Sequence, residues 1–419
     1  MHSLIIAIVF FCGLMIIRSK GQKRYEWFMC SVLLLYSSII VINKPHLGAH
    51  RFFIITYWIS VFCHRECGKI YSFPLKIVFF IYFLSLVCSC IYAPQIAFFY
   101  KFYKPFILMI STFLLLVMGF VSDEKINLLS KPVIITIYIV VLYGVYSFFS
   151  HSDPLRSVIS QKDFYAYFFG GRQRVASTWS HPISYGFICS VLFFVVFKEY
   201  YKKDRFLLLI LLFINIFICG SRTAILTFFV MMCIYLQYGY SLRLKVKYVF
   251  TAILFFLLLL LIPYTSEKIL QFYLTISNES DVGGSSLEMR ERQFNAVIDI
   301  SRDFILTGGG IDYAKEVLGV GKGFVEDIYG MESYLFSIIM ERGILGLCSE
   351  CLLFVSLLYI YATYSRPQHD RVYFLTSLLG YYTFGFSTGR LDSHTIPLFL
   401  AGLMMSRMSA SHCKSCDLV

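Results

Sequence analysis

The chain has 419 residues, of which 58% are hydrophobic and only 15% charged, with a mean hydropathy of +0.71. A water-soluble chain of this length needs far more polar surface, so the composition points to an integral membrane protein. The net charge of +12 is scattered over short loops, with no basic stripe interleaved with aromatics. That excludes a nucleic-acid partner and leaves membrane lipids, through their headgroups, as the counter-charge.

Apolar runs long enough to serve as spans occur at 3–17, 26–42, 51–63, 73–92, 105–121, 132–150, 183–197, 206–219, 223–238, 248–262, 343–362, 372–388 and 395–408. The first run lacks a basic leader and a small-residue cleavage site, so it is expected to remain as a span. Runs 51–63 and 206–219 are short for the purpose. The expected fold is all-α, a polytopic bundle of about 12–13 transmembrane helices. It forms one membrane domain over residues 1–419.

One set of short loops is rich in cations, among them Arg18, Lys20, Lys23, Arg24, Lys198, Lys202, Lys203, Arg205, Arg243, Lys245 and Lys247. The positive-inside rule makes that set cytoplasmic. The two long loops, 151–182 and 263–332, then lie together on the outer face. The second is expected to carry a helical cap.

Cysteines sit mostly inside apolar runs (Cys12, Cys30, Cys88, Cys90, Cys189, Cys219, Cys233), and neither long loop contains one. They read as small hydrophobes, with no disulfide framework implied. Cys413 and Cys416 have no second pair beside them, which is a poor zinc site.

Within the second long loop, residues 285–310 read as a helix with a stop. Leu287, Phe294, Val297, Ile298, Phe304 and Ile305 recur at helical spacing, and Gly308-Gly309-Gly310 ends the pattern. At about 100° per residue, Arg290 falls on the apolar face and Arg292 nearly opposite, beside Asp299 and Asp303. A half-buried arginine is costly without an anionic partner; the plainer alternative is that it snorkels or pairs with Glu288.

Two more arginine-bearing stretches fall on the outer side. Arg172 to Pro182 leads into a span, with Arg174 in its loop and His181 just before Pro182, where a histidine can also serve as a helix cap. Cys219-Gly220-Ser221-Arg222-Thr223-Ala224 joins two spans, and Arg222 there can equally be an interfacial anchor. After the triglycine, Met331 to Leu347 reads as a polar residue, a short helix, and Glu341-Arg342-Gly343-Ile344-Leu345-Gly346-Leu347.

Taken in order, these blocks resemble the O-antigen polymerase and O-antigen ligase superfamily. Arg290, Phe294, Ala296, Gly308 and Gly310 match its outer-loop helix ending in Gly-x-Gly. Ser221 to Ala224 resembles its Ser-Arg-Thr-Ala hairpin, and Arg172 to Pro182 its Arg…His-Pro block. Ligases carry a histidine where this chain has Glu332, which points to the polymerase branch.

The resemblance implies a multi-pass protein of the bacterial inner membrane with its active site facing the periplasm. Its implied partners are undecaprenyl-pyrophosphate-linked glycans and a chain-length regulator protein. Arg290, Arg222 and Arg174 are the expected pyrophosphate ligands, because guanidinium groups bind such oxygens in pairs and keep their charge. Glu332, His181, Asp312 and Asp392 are candidate proton acceptors for a sugar hydroxyl, with Glu332 and His181 foremost. No cofactor is implied, and with no Asp-x-Asp and no acid between Asn43 and His50, no metal either. Outer-loop aromatics (Tyr165, Tyr167, Phe168, Phe169, Trp179, Tyr313, Tyr329, Tyr334) are sugar-stacking or interfacial candidates.

Two rival functions remain open at this point. A ligase would move the finished glycan onto lipid A–core. A flippase would need charges deep in its spans and two related halves.

Overall fold

A computed structural model describes residues 2–36, 39–41, 47–91, 110–123, 125–157, 174–179, 181–239, 287–311, 313–318, 333–363, 368–388 and 394–416. Glu332, Asp312, Asp392, the span at 248–262 and most of both long loops lie outside the described residues. So do Tyr165, Tyr167, Phe168, Phe169 and Tyr329.

The protein is a helical membrane protein. Among the described residues its helices are α1 (His2–Arg18), α2 (Gly21–Leu35), α3 (Ala49–Cys63), α4 (Lys76–Ile91), α5 (Leu115–Val121), α6 (Lys131–Phe149) and α7 (Pro182–Glu199). Then follow α8 (Arg205–Ile218), α9 (Arg222–Gly239), α10 (Leu287–Ser301), α11 (Tyr313–Glu316), α12 (Tyr334–Thr363), α13 (Gln368–Thr388) and α14 (Thr395–Cys416). Among the described residues α6, α7 and α12 are long and apolar enough to cross a membrane, and α1, α3, α4, α8 and α9 are apolar but shorter. Runs of Leu, Ile, Phe and Val without interior proline make these helices, since lipid requires every backbone group to be bonded within the segment.

Two boundaries differ from the sequence reading. The run 26–42 is not one span: α2 stops at Leu35, and Ile39–Val41 pairs antiparallel with Leu47–Gly48. The β-branched Ile39-Ile40-Val41-Ile42 followed by Asn43-Lys44-Pro45 favours a short ribbon over a helix there. The run 343–362 begins nine residues too late, because α12 starts at Tyr334 and passes through a break at Gly343. Non-helical backbone at φ 62, ψ −158 inside an apolar helix is what a sequence period cannot register.

The bundle core is continuous from α1 to α14. Helix α9 runs antiparallel to α13: Met231 lies against Gly380, and Ala224 sits near Gly186 of α7, whose Phe187 stacks on Phe384 at 4.2 Å. This packing decides where the functional blocks lie. Helix α10 sits on a small separate core of Val297, Ala314, Phe336 and Met340 against the first turns of α12.

Charged groups hold one end of the bundle. Lys198 pairs with Asp370 and with Glu199 (3.1 Å), and Arg407 with Glu199 (3.2 Å). Arg24, buried in α2, pairs with Glu66. These belong to the loops assigned to the cytoplasmic side.

Candidate functional site at one end of the bundle

Packing gathers the sequence blocks at the opposite end. Measured from the Met231–Gly380 contact, Arg222 and Ser387 lie about 14 Å and about 11 Å along antiparallel helices toward the same end. Phe187 against Phe384 brings the start of α7, and so His181, to that end as well.

Arg174 approaches the second block directly. Its Nε donates to the carbonyl oxygen of Cys219 (3.3 Å), while the Val175 amide donates to Ile218 O (3.3 Å). The turn Gly220–Ser221 is capped locally, with Ser221 Oγ accepting from the Ala224 amide at 3.3 Å. Arg174 and Arg222 therefore flank one tight turn at the mouth of α9, both half-buried.

His181 occupies the N-cap of α7, its Nδ1 accepting from the Ile183 amide at 3.2 Å. Its ring is buried. That is the capping geometry which Pro182 at the first helical position favours.

Arg290 is half-buried, as its helical position predicts, and its Nη2 donates to the carbonyl oxygen of Ser387 (3.0 Å) near the end of α13. Arg292 is exposed, also as expected. Phe294 differs from the apolar face expected of it: it is 42% exposed, its ring tilted against Phe336 at 6.0 Å. The buried face of α10 is instead Gln293, Val297 and Ser301, turned by its seat on α12. Two of those three are polar, so an apolar period drawn from the sequence was centred one position off. Gln293 is fully buried, and neither of its amide atoms has a hydrogen-bond partner among the described residues.

The triglycine does more than stop a helix. The Gly309 and Gly310 amides donate to Met340 O (2.9 Å) and Glu341 O (3.0 Å). In return the Ile344 and Leu345 amides donate to Ile305 O (2.8 Å) and Leu306 O (3.1 Å). These four bonds satisfy the backbone groups that the break at Gly343 sets free. Gly308 (φ +74) and Gly343 (φ +62) make the approach possible; a Cβ on Gly308 would stand 2.3 Å from Arg342 N. The turn at 305–310 is thus sewn into the helix α12 that follows it.

The sequence reading missed two features. Trp179 is neither a sugar platform nor an interfacial residue: it is fully buried and stacks on Tyr36 at 4.0 Å, with His50 stacked on the far side of Tyr36 at 4.6 Å. Beside them His394, just ahead of α14, is held neutral, its pKa pushed down to about 3 by burial and then by Arg51. The second feature is Arg342, a buried cation in α12 that pairs with Glu350 at 3.1 Å. A span drawn from Gly343 left Arg342 outside it. Among the outer aromatics, Tyr313 packs edge-on to Phe304 (4.9 Å), and Tyr334 is buried beside Arg342.

No curated protein matches the sequence closely enough to count as a relative. Residues 207–349, roughly a third of the chain, match the family described as O-Antigen ligase. The matched stretch takes in Arg222, Arg290, the triglycine and the Gly343 break, and leaves Arg174 and His181 outside it. The chain is thus a helical membrane protein whose 207–349 stretch is similar to the O-antigen ligase family.

Proposed function

We propose that the protein polymerises oligosaccharide repeat units carried on undecaprenyl pyrophosphate, at the periplasmic face of the bacterial inner membrane. The acceptor hydroxyl oxygen attacks the anomeric carbon of the growing glycan. The bond from that carbon to the bridging phosphate oxygen breaks, and its electron pair leaves with the lipid pyrophosphate. The hydroxyl proton passes to a base, for which Glu332 is the candidate.

The observation that carries this reading is Arg290: within the family-matched stretch, half-buried, and held at the same bundle end as Arg174 and Arg222. Cations fixed where negative charge grows favour the transition state over the ground state. Glu332, in place of the histidine that ligases carry, favours polymerisation over transfer to lipid A–core.

The test is the surface polysaccharide of a deletion strain carrying Glu332→Gln. Normal protein levels with a ladder collapsed to core plus one repeat are expected, and partial recovery is expected for Glu332→His. A full ladder from Glu332→Gln removes this residue from proton transfer. Glycan that fails to reach lipid A–core, with chain length on the carrier unchanged, makes the protein a ligase.

For His181 the geometry supports the capping role over the catalytic one. His181→Asn keeps an acceptor at the N-cap and is expected to keep the ladder, whereas His181→Ala loses about 1 kcal/mol of stability. Loss of the ladder in a stable His181→Asn protein reverses that assignment.

A further inference from the structure

Arg342 and Glu350 are 4% and 5% exposed in the middle of an apolar helix. Arg342 Nη2 donates to Glu350 Oε2 (3.1 Å) and to the Tyr334 hydroxyl (3.0 Å), and that hydroxyl donates to Glu350 Oε2 (3.0 Å). The Tyr382 hydroxyl of α13 reaches Glu350 Oε1 at 3.4 Å, and the Arg342 guanidinium lies 5.1 Å over the Tyr82 ring of α4. Gly346 makes room for the fold-back, since a Cβ there would meet Arg342 Cβ at 2.1 Å.

This arrangement is a poor device for stability alone. A buried ion pair costs desolvation that an apolar pair of the same size does not, and here Arg342 Nη1 is also buried without a hydrogen-bond partner among the described residues. Its geometry fits another purpose. Tyr334 and Arg342 stand on the segment before the Gly343 break and Glu350 on the segment after it, so the pair spans the discontinuity. Helix α13, which supplies Tyr382, also supplies the Ser387 carbonyl that holds Arg290. Glu332 is two residues ahead of Tyr334 in the chain.

We propose that Arg342 and Glu350 are a positioning pair: they hold the two halves of α12 in one register across the break, and thereby align α12 with α13, whose Ser387 carbonyl holds Arg290. The effect on chain length rests on the polymerase reading above; the holding role does not.

The test uses the full-length protein with Arg342→Met and Glu350→Leu combined, which removes both charges without stranding either. Normal membrane abundance is expected. The peptides carrying the Gly309, Gly310, Ile344 and Leu345 amides are expected to exchange hydrogen about tenfold faster, as the register loosens. Binding of undecaprenyl pyrophosphate to the purified protein is expected to stay within about twofold of wild type, while long chains fall about tenfold or more, because alignment and not grip is lost.

Unchanged exchange at those amides, or a full-length ladder, overturns the proposal. The polymerase reading fails differently: wild-type protein would not bind undecaprenyl pyrophosphate, or the deletion strain would keep its ladder, and amide exchange still decides the holding role. If the double variant does not accumulate, Tyr334→Phe decides. It removes one hydroxyl from the network and is expected to shorten the ladder at unchanged abundance; a wild-type ladder there overturns the proposal.

Discussion

Gly308→Ala is expected to release the 305–310 turn from α12 and to leave little folded protein in the membrane. The left-handed φ of +74 costs a side-chain-bearing residue about 1–2 kcal/mol by itself. The larger effect is steric, because the new Cβ would stand 2.3 Å from Arg342 N and 2.3 Å from Glu341 C, which are backbone atoms that cannot rotate away. Relief requires the loop and the break to separate, which gives up four backbone hydrogen bonds of about 1 kcal/mol each. Their partners would be stranded in an apolar setting, where water does not replace them. Gly309→Ala is the control. The Cβ there meets the Tyr313 ring, a side chain that can swing aside, so a mild loss is expected. Abundance and thermal stability of the purified variants measure the contrast. Equal behaviour of the two, at wild-type levels, would mean the junction is not a structural necessity.

Arg290→Ala is expected to abolish polymerisation while the protein still inserts and folds. The side chain is half-buried, with one nitrogen committed to the Ser387 carbonyl, so its loss removes a positioned cation and little core. A charge-assisted contact to a leaving pyrophosphate is worth about 3–4 kcal/mol in the transition state, or about 10²- to 10³-fold in rate. Arg290→Lys is expected to be nearly as poor, since an ammonium cannot hold the Ser387 carbonyl and a pyrophosphate oxygen with the geometry of a planar fork. Arg292→Ala removes the same charge from the exposed side of the same helix and is expected to be nearly neutral. A normal ladder from Arg290→Ala, or equal loss from Arg292→Ala, ends the assignment of Arg290 as the pyrophosphate clamp.

Much of this could be read from residues alone. Hydropathy placed most helices because lipid allows few alternatives to an apolar helix. The blocks around Arg174, Arg222, Arg290 and the triglycine were legible because glycines, prolines and arginines in apolar surroundings are informative by rarity. Arg342 was not legible, because a cation at the edge of an apolar run looks like a loop residue until the helix is known to begin at Tyr334. The face of α10 was half legible: Arg290 and Arg292 fell as expected, but Gln293 and Ser301, which are buried, carry no apolar signal. Trp179 went wrong for a related reason. Next to a loop it looks superficial, and only its stack with Tyr36 reveals that the segment 174–179 dips into the bundle.

The pairing of residues 305–310 with the Gly343 break also dictates an order of assembly. When α12 leaves the translocon, its Ile344 and Leu345 amides have no acceptor within their own helix, and the acceptors they use were synthesised roughly 40 residues earlier. Bare amides cannot rest in hydrocarbon. The turn at 305–310 must therefore be made, with α10 folded ahead of it, before α12 can seat. Helices α13 and α14 then close around a junction already made, so α10 and the turn after it act as a template for the last three helices.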